Sequence, residues 1–231
     1  MKTEQQEIDE YHKWRTGCKE RGYFWKVERT DIINQLIQKY GYVNYLEIGV
    51  NDGTNIRKVI CEHKDGVDPG VETRNPPEVN YPVDSNEFFE LISGHDIKYD
   101  IIFVDGLHHD DQVYTDITNA LKHLSENGTI VCHDMNPQWE IVQRKQVPTS
   151  VGCWNGDCWK AWVKLRTTLT GYSMEVVDTD HGVGIIRKGN TELLGIKEGG
   201  SVDNISFWDM EKNRKEILNL ISVDEFYKKY D

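Results

Sequence analysis

Leu46-Glu47-Ile48-Gly49-Val50-Asn51-Asp52-Gly53-Thr54 decides how the rest of the chain is read. Tyr42 to Gly49 (YVNYLEIG) is a short apolar run that stops at a glycine, the pattern of a strand buried on both faces of a parallel sheet. Glycines at 49 and 53 let the backbone turn sharply and let a ligand approach it closely, although G-x-x-x-G alone also fits an ordinary turn. Context favours the ligand. Asp68 closes the next strand, GVD at 66–68, 19 residues after Gly49, where an acid can accept hydrogen bonds from both ribose hydroxyls. A phosphate-cradling P-loop is excluded because no Gly-Lys-Ser/Thr follows, and the dinucleotide pattern G-x-G-x-x-G is absent.

Outward from this turn, strands and helices alternate. A Pro-rich loop over 69–83 surrounds a short third strand, and SNEFFELIS at 85–93 is helical with Asp84 or Ser85 as its cap. Tyr99 to Val104 is a strand, and Val113, Ile117, Ala120, Leu121 and Leu124 mark one helix face. Asp110-Asp111 begin that helix, where acids suit the macrodipole. A turn at Glu126-Asn127-Gly128 leads into the strand TIVCHD. This order predicts βαβ units and a parallel sheet. YSMEVVDT and VGIIRK, joined by Asp180-His181-Gly182, read as an antiparallel hairpin whose His181 faces solvent. Before the core, residues 1–40 are helical, with Thr30-Asp31 capping an amphipathic segment that Gly41 closes. After it, 207–228 reads as a further helical region.

The 231 residues are enough for one enlarged domain. We divide them into an N-terminal helical extension (1–41), a core (42–190) and a C-terminal helical extension (191–231). A net charge of −12 argues against broad binding of a nucleic-acid backbone. No apolar run suits a membrane span or a signal peptide, and the odd count of five cysteines suits a reducing compartment, so a soluble, cytoplasmic protein is expected. Cys153 and Cys158 alone make no closed zinc site.

The stretches EIGVNDGTN, VDPG, YDIIFVDGLHHDDQVYTDI and NGTIVCHDMNP together resemble the class I S-adenosylmethionine (SAM)-dependent methyltransferases, over about residues 42–188. Within that class the chain is most similar to small bacterial and viral methyltransferase-domain proteins, related to the macrolide-sugar O-methyltransferases and the cephalosporin-hydroxylase-like group. The resemblance implies an α/β, Rossmann-like, three-layer fold around a seven-stranded, mostly parallel sheet with a reversed terminal strand. It further implies that Glu47, Gly49, Asn51 and Gly53 line the methionine end of the cofactor, that Asp68 holds the ribose, that Asp84 and Ser85 border the adenine, and that Asp105 adjoins the cofactor.

The chemistry is expected at the carboxyl ends of the strands, where Glu47, Asp105 with His108 and His109, and His133-Asp134 with Asn136 arrive. In the macrolide-sugar enzymes, acids at two of these strand ends bind magnesium and a His three residues after the first acid is the base. Asp105 and His108 keep that spacing and Asp134 takes the second acid's place, whereas His133 stands where an acid is frequent. Imidazole suits Mn²⁺ better than Mg²⁺, so Mg²⁺, Mn²⁺ and no metal all remain open. Trp139 and Trp154 fall in a loop fit for an acceptor pocket, while Trp159 and Trp162 fall on a helix and read as core. No motif for methylating nucleobases follows the strand that ends at Val104. The expected activity is methyl transfer from SAM to a hydroxyl of a small molecule such as a sugar, with N- or C-methylation without metal and a noncatalytic SAM-binding subunit as alternatives. A homo-oligomer is compatible with the sequence.

Overall fold

The computed structural model describes residues 2–20, 25–71, 75–146, 148–190, 192–195 and 201–231. Parts of the two expected extensions and of the Pro-rich loop over 69–83 therefore lie outside the described residues.

The strands are β1 (Asn44–Ile48), β2 (His63–Val67), β3 (Tyr99–Val104), β4 (Leu124–Cys132), β5 (Tyr172–Val177), β6 (Val183–Lys188) and β7 (Leu220–Ile221). They form one sheet in the order β2-β1-β3-β4-β6-β5-β7. β1 pairs in parallel with β2 and β3, and β3 with β4, while β6 runs antiparallel to both β4 and β5. The reversed strand is thus β6; the two-residue β7 follows it in the chain and pairs in parallel with the edge of β5. The short third strand expected within 69–83 is a single bridge from Tyr81 to Val67.

Alternation along the strands builds two cores. Leu46, Ile48, Ile102, Val104, Ile130 and Cys132 point to the face covered by α4 (Ser85–Leu91), α5 (Asp110–His123), α6 (Cys158–Thr168), α7 (Phe207–Lys212) and α8 (Arg214–Leu218). Tyr45, Ile101, Phe103, Val131 and Ile185 point to the face covered by α2 (Arg29–Tyr40), α3 (Thr54–Lys58) and α9 (Val223–Tyr230). The result is a three-layer, Rossmann-like α/β architecture. α1 (Glu4–Glu20) stands apart, seating Ile8 and Tyr11 on Ile141, Val142 and Val151 of the loop after β4.

Several boundaries differ from expectation. β2 begins at His63, earlier than GVD, because an edge strand can carry His63, Lys64 and Asp65 and still pair along β1. Leu124 leaves the helix face and opens β4, and Glu126-Asn127-Gly128 lies inside that strand at a shift in its register with β3. α2 begins at Arg29; the Asp31 carboxylate accepts from the Glu28 N–H at 2.8 Å, which moves the cap ahead of Thr30. The helical region expected over 207–228 is broken. Asn219 ends α8 in the left-handed conformation, β7 intervenes, and the Ser222 hydroxyl caps α9 by accepting from the Glu225 N–H at 3.2 Å. Gly41, as expected, closes α2 with φ 67°.

Trp159 and Trp162 are fully buried on α6, as the helical spacing predicts, and the Trp162 indole N–H donates to the Leu218 carbonyl at 3.0 Å. Trp162→Ala leaves both a cavity and an unpaired carbonyl, so a loss of about 3–5 kcal/mol in urea-denaturation stability is expected.

Candidate active site

At the carboxyl end of β1 the chain turns through Gly49 at φ 88°, and a Cβ there would lie 2.1 Å from the Asp105 carbonyl. Only glycine allows the first turn to meet the end of β3 this closely. Asp68 ties the same turn to β2: one carboxylate oxygen accepts from the Asn51 N–H at 2.8 Å and the other from the Gly70 N–H at 2.7 Å. Asp84 caps α4 by accepting from the Glu87 N–H at 2.9 Å, and the Ser85 hydroxyl accepts from Gln112 at 3.1 Å. Asn51 and Gly53 both adopt positive φ, the former exposed beside the turn.

Glu47 is 1% exposed, the least accessible of the expected cofactor-side acids. The Tyr45 hydroxyl and the Asn55 amide both donate to its Oε2, the latter at 2.9 Å. Burial nevertheless pushes its carboxyl up to about 7, with the nearby Asp105 charge adding to the rise.

Beyond this turn the structure gathers Asp105, His108 and Asp134, whose ligand atoms all lie within 4.8 Å of one another. His108 Nε2 is 3.3 Å from Asp105 Oδ1, and its Nδ1 is 3.4 Å from Asp134 Oδ2. Nδ1 also meets the Trp154 carbonyl at 2.9 Å; since a carbonyl only accepts, Nδ1 carries a proton. Burial works against a charged ring, but the Asp134 and Asp105 carboxylates push His108 up to about 9. Both carboxylates are held below their ordinary range in spite of burial, first by His133 and then by His108.

His133 bridges the two acids from the other side, its Nδ1 3.2 Å from Asp105 Oδ1 and 3.3 Å from Asp134 Oδ2. Burial works against a charge on this ring, but the Asp134 and Asp105 carboxylates push its basicity well up, and its Nε2 lies 2.7 Å from the Arg29 guanidinium and 3.5 Å from Asp180 Oδ2. Arg29 also meets Asp180 Oδ2, through its side chain at 3.1 Å and its backbone N–H at 2.9 Å. Burial opposes ionisation of Asp180, yet His133 and Arg29 hold it below its ordinary range.

Arg29 and Asp180 were not among the expected site residues. Arg29 begins a helix far upstream and carries no local signal. Asp180 had one: β5 runs parallel to β4, so the turn that follows β5 must fall at the same sheet end as Asp134. For the same reason His181 does not face solvent. It is half-buried, 5.8 Å from the Trp25 ring and 6.4 Å from His133, and burial lowers its basicity. Its carbonyl and that of Gly182 accept from Asn136 and Met135 N–H at 2.7 and 3.1 Å, pinning the loop after β4.

Asn136 turns away from the acids. Its oxygen accepts from Arg214 and its amide donates to Asp178 at 2.9 Å, so it is not the oxygen donor the sequence allowed for. His109 is the residue before α5 and packs edge-on to Trp154. Trp154 also lies 5.1 Å from the His108 ring, while Trp139 packs 5.4 Å from Trp14 on α1. Asn51, Asp134, Asp180 and His181 all adopt positive φ without being glycine, a concentration of backbone strain around one site.

Residues 46–135 match the protein family described as "Methyltransferase domain". No curated protein matches the chain significantly. Among solved structures, one assigned as an O-methyltransferase from Klebsiella pneumoniae is 12% identical, with a TM-score of 0.53 over 81% of this chain and 90% of that one. The O-methyltransferase TomG from Streptomyces achromogenes, involved in tomaymycin synthesis and solved with SAM, is 11% identical, with a TM-score of 0.51 over 70% of this chain and 80% of that one. Both likenesses are of fold. None of the described helices is long and apolar enough to cross a membrane.

The Glu47 carboxyl yields a prediction for pH dependence. The folded protein keeps the Glu47 proton up to about 7, whereas the unfolded chain releases it near the ordinary value of 4.5. Folding stability should therefore fall as pH rises from about 4.5 to 7, by roughly 3 kcal/mol from this group. Melting curves of Glu47→Gln between pH 4.5 and 8 should lack that decline, and parallel curves for the two proteins would contradict it.

Proposed function

We propose, from the premise that residues 46–135 form a methyltransferase domain on the class I SAM-dependent fold, that the protein transfers the methyl group of SAM to a hydroxyl oxygen of a small-molecule acceptor. In this reading residues 42–190 are the SAM-binding core, and the flanking 1–41 and 191–231 shape the acceptor side. The observation that carries it is the meeting of Asp105, His108 and Asp134 at the ends of β3 and β4, next to the glycine turn after β1.

SAM brings an activated methyl group, so the protein's task is alignment and proton removal. Glu47, Gly49, Asn51 and Gly53 would receive the methionine end, where a cationic ligand would favour release of the proton that buried Glu47 keeps up to about 7. Asp68 would take the ribose hydroxyls, and Asp84 with Ser85 would border the adenine. The acceptor hydroxyl would meet His108 at Nε2, with Nδ1 held by the Trp154 carbonyl, and His108 would take the proton as the C–O bond forms and the S–CH₃ bond breaks. The two flanking carboxylates that push His108 up to about 9 favour the protonated ring, so the base form, and turnover with it, should rise as pH approaches 9.

The donor set also fits a divalent cation. Asp105 and Asp134 are the residues that would hold it, and the neighbouring imidazoles favour Mn²⁺ over Mg²⁺. Such an ion would supply charge stabilisation for the acceptor alkoxide.

Calorimetry should show binding of SAM and of its demethylated product; absence of both would sink the reading. With a hydroxylated acceptor, His108→Ala should lower kcat about 10²–10⁴-fold, and Asp105→Ala should remove turnover together with any Mn²⁺ stimulation. Full activity in the presence of a chelator would favour the metal-free alternative.

A further inference from the structure

The segment that joins the loop after β4 to α6 touches the reaction centre at consecutive residues. The Trp154 carbonyl holds His108 Nδ1, and the next residue, Asn155, donates from its side-chain amide to Asp134 Oδ1. Gly156, at φ 59°, lies so close to His108 that a Cβ would sit 1.8 Å from the His108 carbonyl oxygen. Asp157 then accepts from the Asp110 N–H at 2.9 Å, at the first residue of α5. The strap is fixed from beneath by Asn155 N–H to the Val142 carbonyl at 2.8 Å, and by the Cys158 thiol to the Asn155 carbonyl at 3.1 Å. α1 holds it from outside. His12 Nε2 donates to the Ser150 carbonyl at 2.8 Å, and Arg15 donates to the Gly152 carbonyl at 3.3 Å.

We propose that Asn155 is a positioning residue for methyl transfer, presenting Asp134 to His108 from a strap that also fixes the His108 ring through the Trp154 carbonyl. The proposal rests on the reading of Asp105, His108 and Asp134 as the reaction centre. Asn155 is 1% exposed and its Oδ1 has no hydrogen-bond partner. An unpaired amide oxygen in the interior is unfavourable, and what holds the side chain there is the one hydrogen bond its amide makes, to the buried Asp134 carboxylate. Asp134 needs an outside hold. Its backbone is in the left-handed region at φ 62°, and its other close side-chain partners, His108 and His133, belong to the same acidic cluster. Asn155 ties it instead to α6 and, through the strap, to α1.

The test is Asn155→Leu, which keeps the volume and removes the donor. The melting temperature should fall, because buried Asp134 loses a donor, but in the folded variant calorimetric affinity for the demethylated cofactor should stay within about twofold while kcat drops about 10–100-fold at unchanged KM for SAM. Unchanged kcat, or loss of cofactor affinity in step with kcat, would overturn the proposal. A second readout needs no acceptor and so separates this idea from failure of the methyl-transfer reading. In ¹⁵N-histidine-labelled protein the His108 Nδ1–H resonance should be sheltered from exchange and should move in Asn155→Leu, because Asp134, 3.4 Å from that nitrogen, is released. A resonance that stays in place overturns the proposal. If Asn155→Leu does not fold, Arg15→Ala loosens the strap from the exposed side of α1 and must shift the same resonance.

Discussion

Two carboxylates, Asp105 and Asp134, are brought together in the interior at the ends of neighbouring parallel strands, and the surrounding structure is organised by the need to keep them charged there. An ion pair of like sign cannot be buried without compensation. His133 supplies it from one side and His108 from the other. Arg29 and Asp180 then form an outer ion pair against His133 Nε2. These six groups arrive from four places in the fold: Arg29 from the start of α2, Asp105 and His108 from the loop after β3, His133 and Asp134 from the loop after β4, and Asp180 from the β5–β6 turn. The sheet order is what makes them neighbours, since placing β6 between β4 and β5 turns the hairpin back over the strand ends.

The motifs along the chain foretold this arrangement where it depends on local chemistry. The glycine turn at 49–53, the acid closing β2 and the Asp105-to-His108 spacing all sit where the strand ends require them. Alternation of apolar residues gave the strands their two faces, and the spacing of Trp159 and Trp162 gave α6 its buried side. The motif-level resemblance to methyltransferases carried the fold, including a reversed strand in the sheet.

What escaped the sequence was set at long range or by side chains that replace the backbone's partners. The break between α8 and α9 depends on Asn219 tolerating the left-handed conformation and on Ser222 and Glu225 closing a new helix. The β5–β6 turn by itself suits a solvent-facing His181, and it is the sheet order that turns this residue inward. Arg29 could not be found at all from its neighbours in sequence. Its partners, His133 and Asp180, are 104 and 151 residues away.

The left-handed backbone at Asn51, Asp134, Asp180 and His181 has a further meaning for how this protein can change. Replacing any of them with glycine would relieve the backbone by about 1 kcal/mol, but at Asp134 and Asp180 it would also strip His108, His133 and Arg29 of their carboxylates, which costs more. Each relief would delete a side chain from the same site. Selection for thermal robustness alone would thus act first at Asn51 and His181, while the ion pairs of Asp134 and Asp180 hold those two strained positions in place.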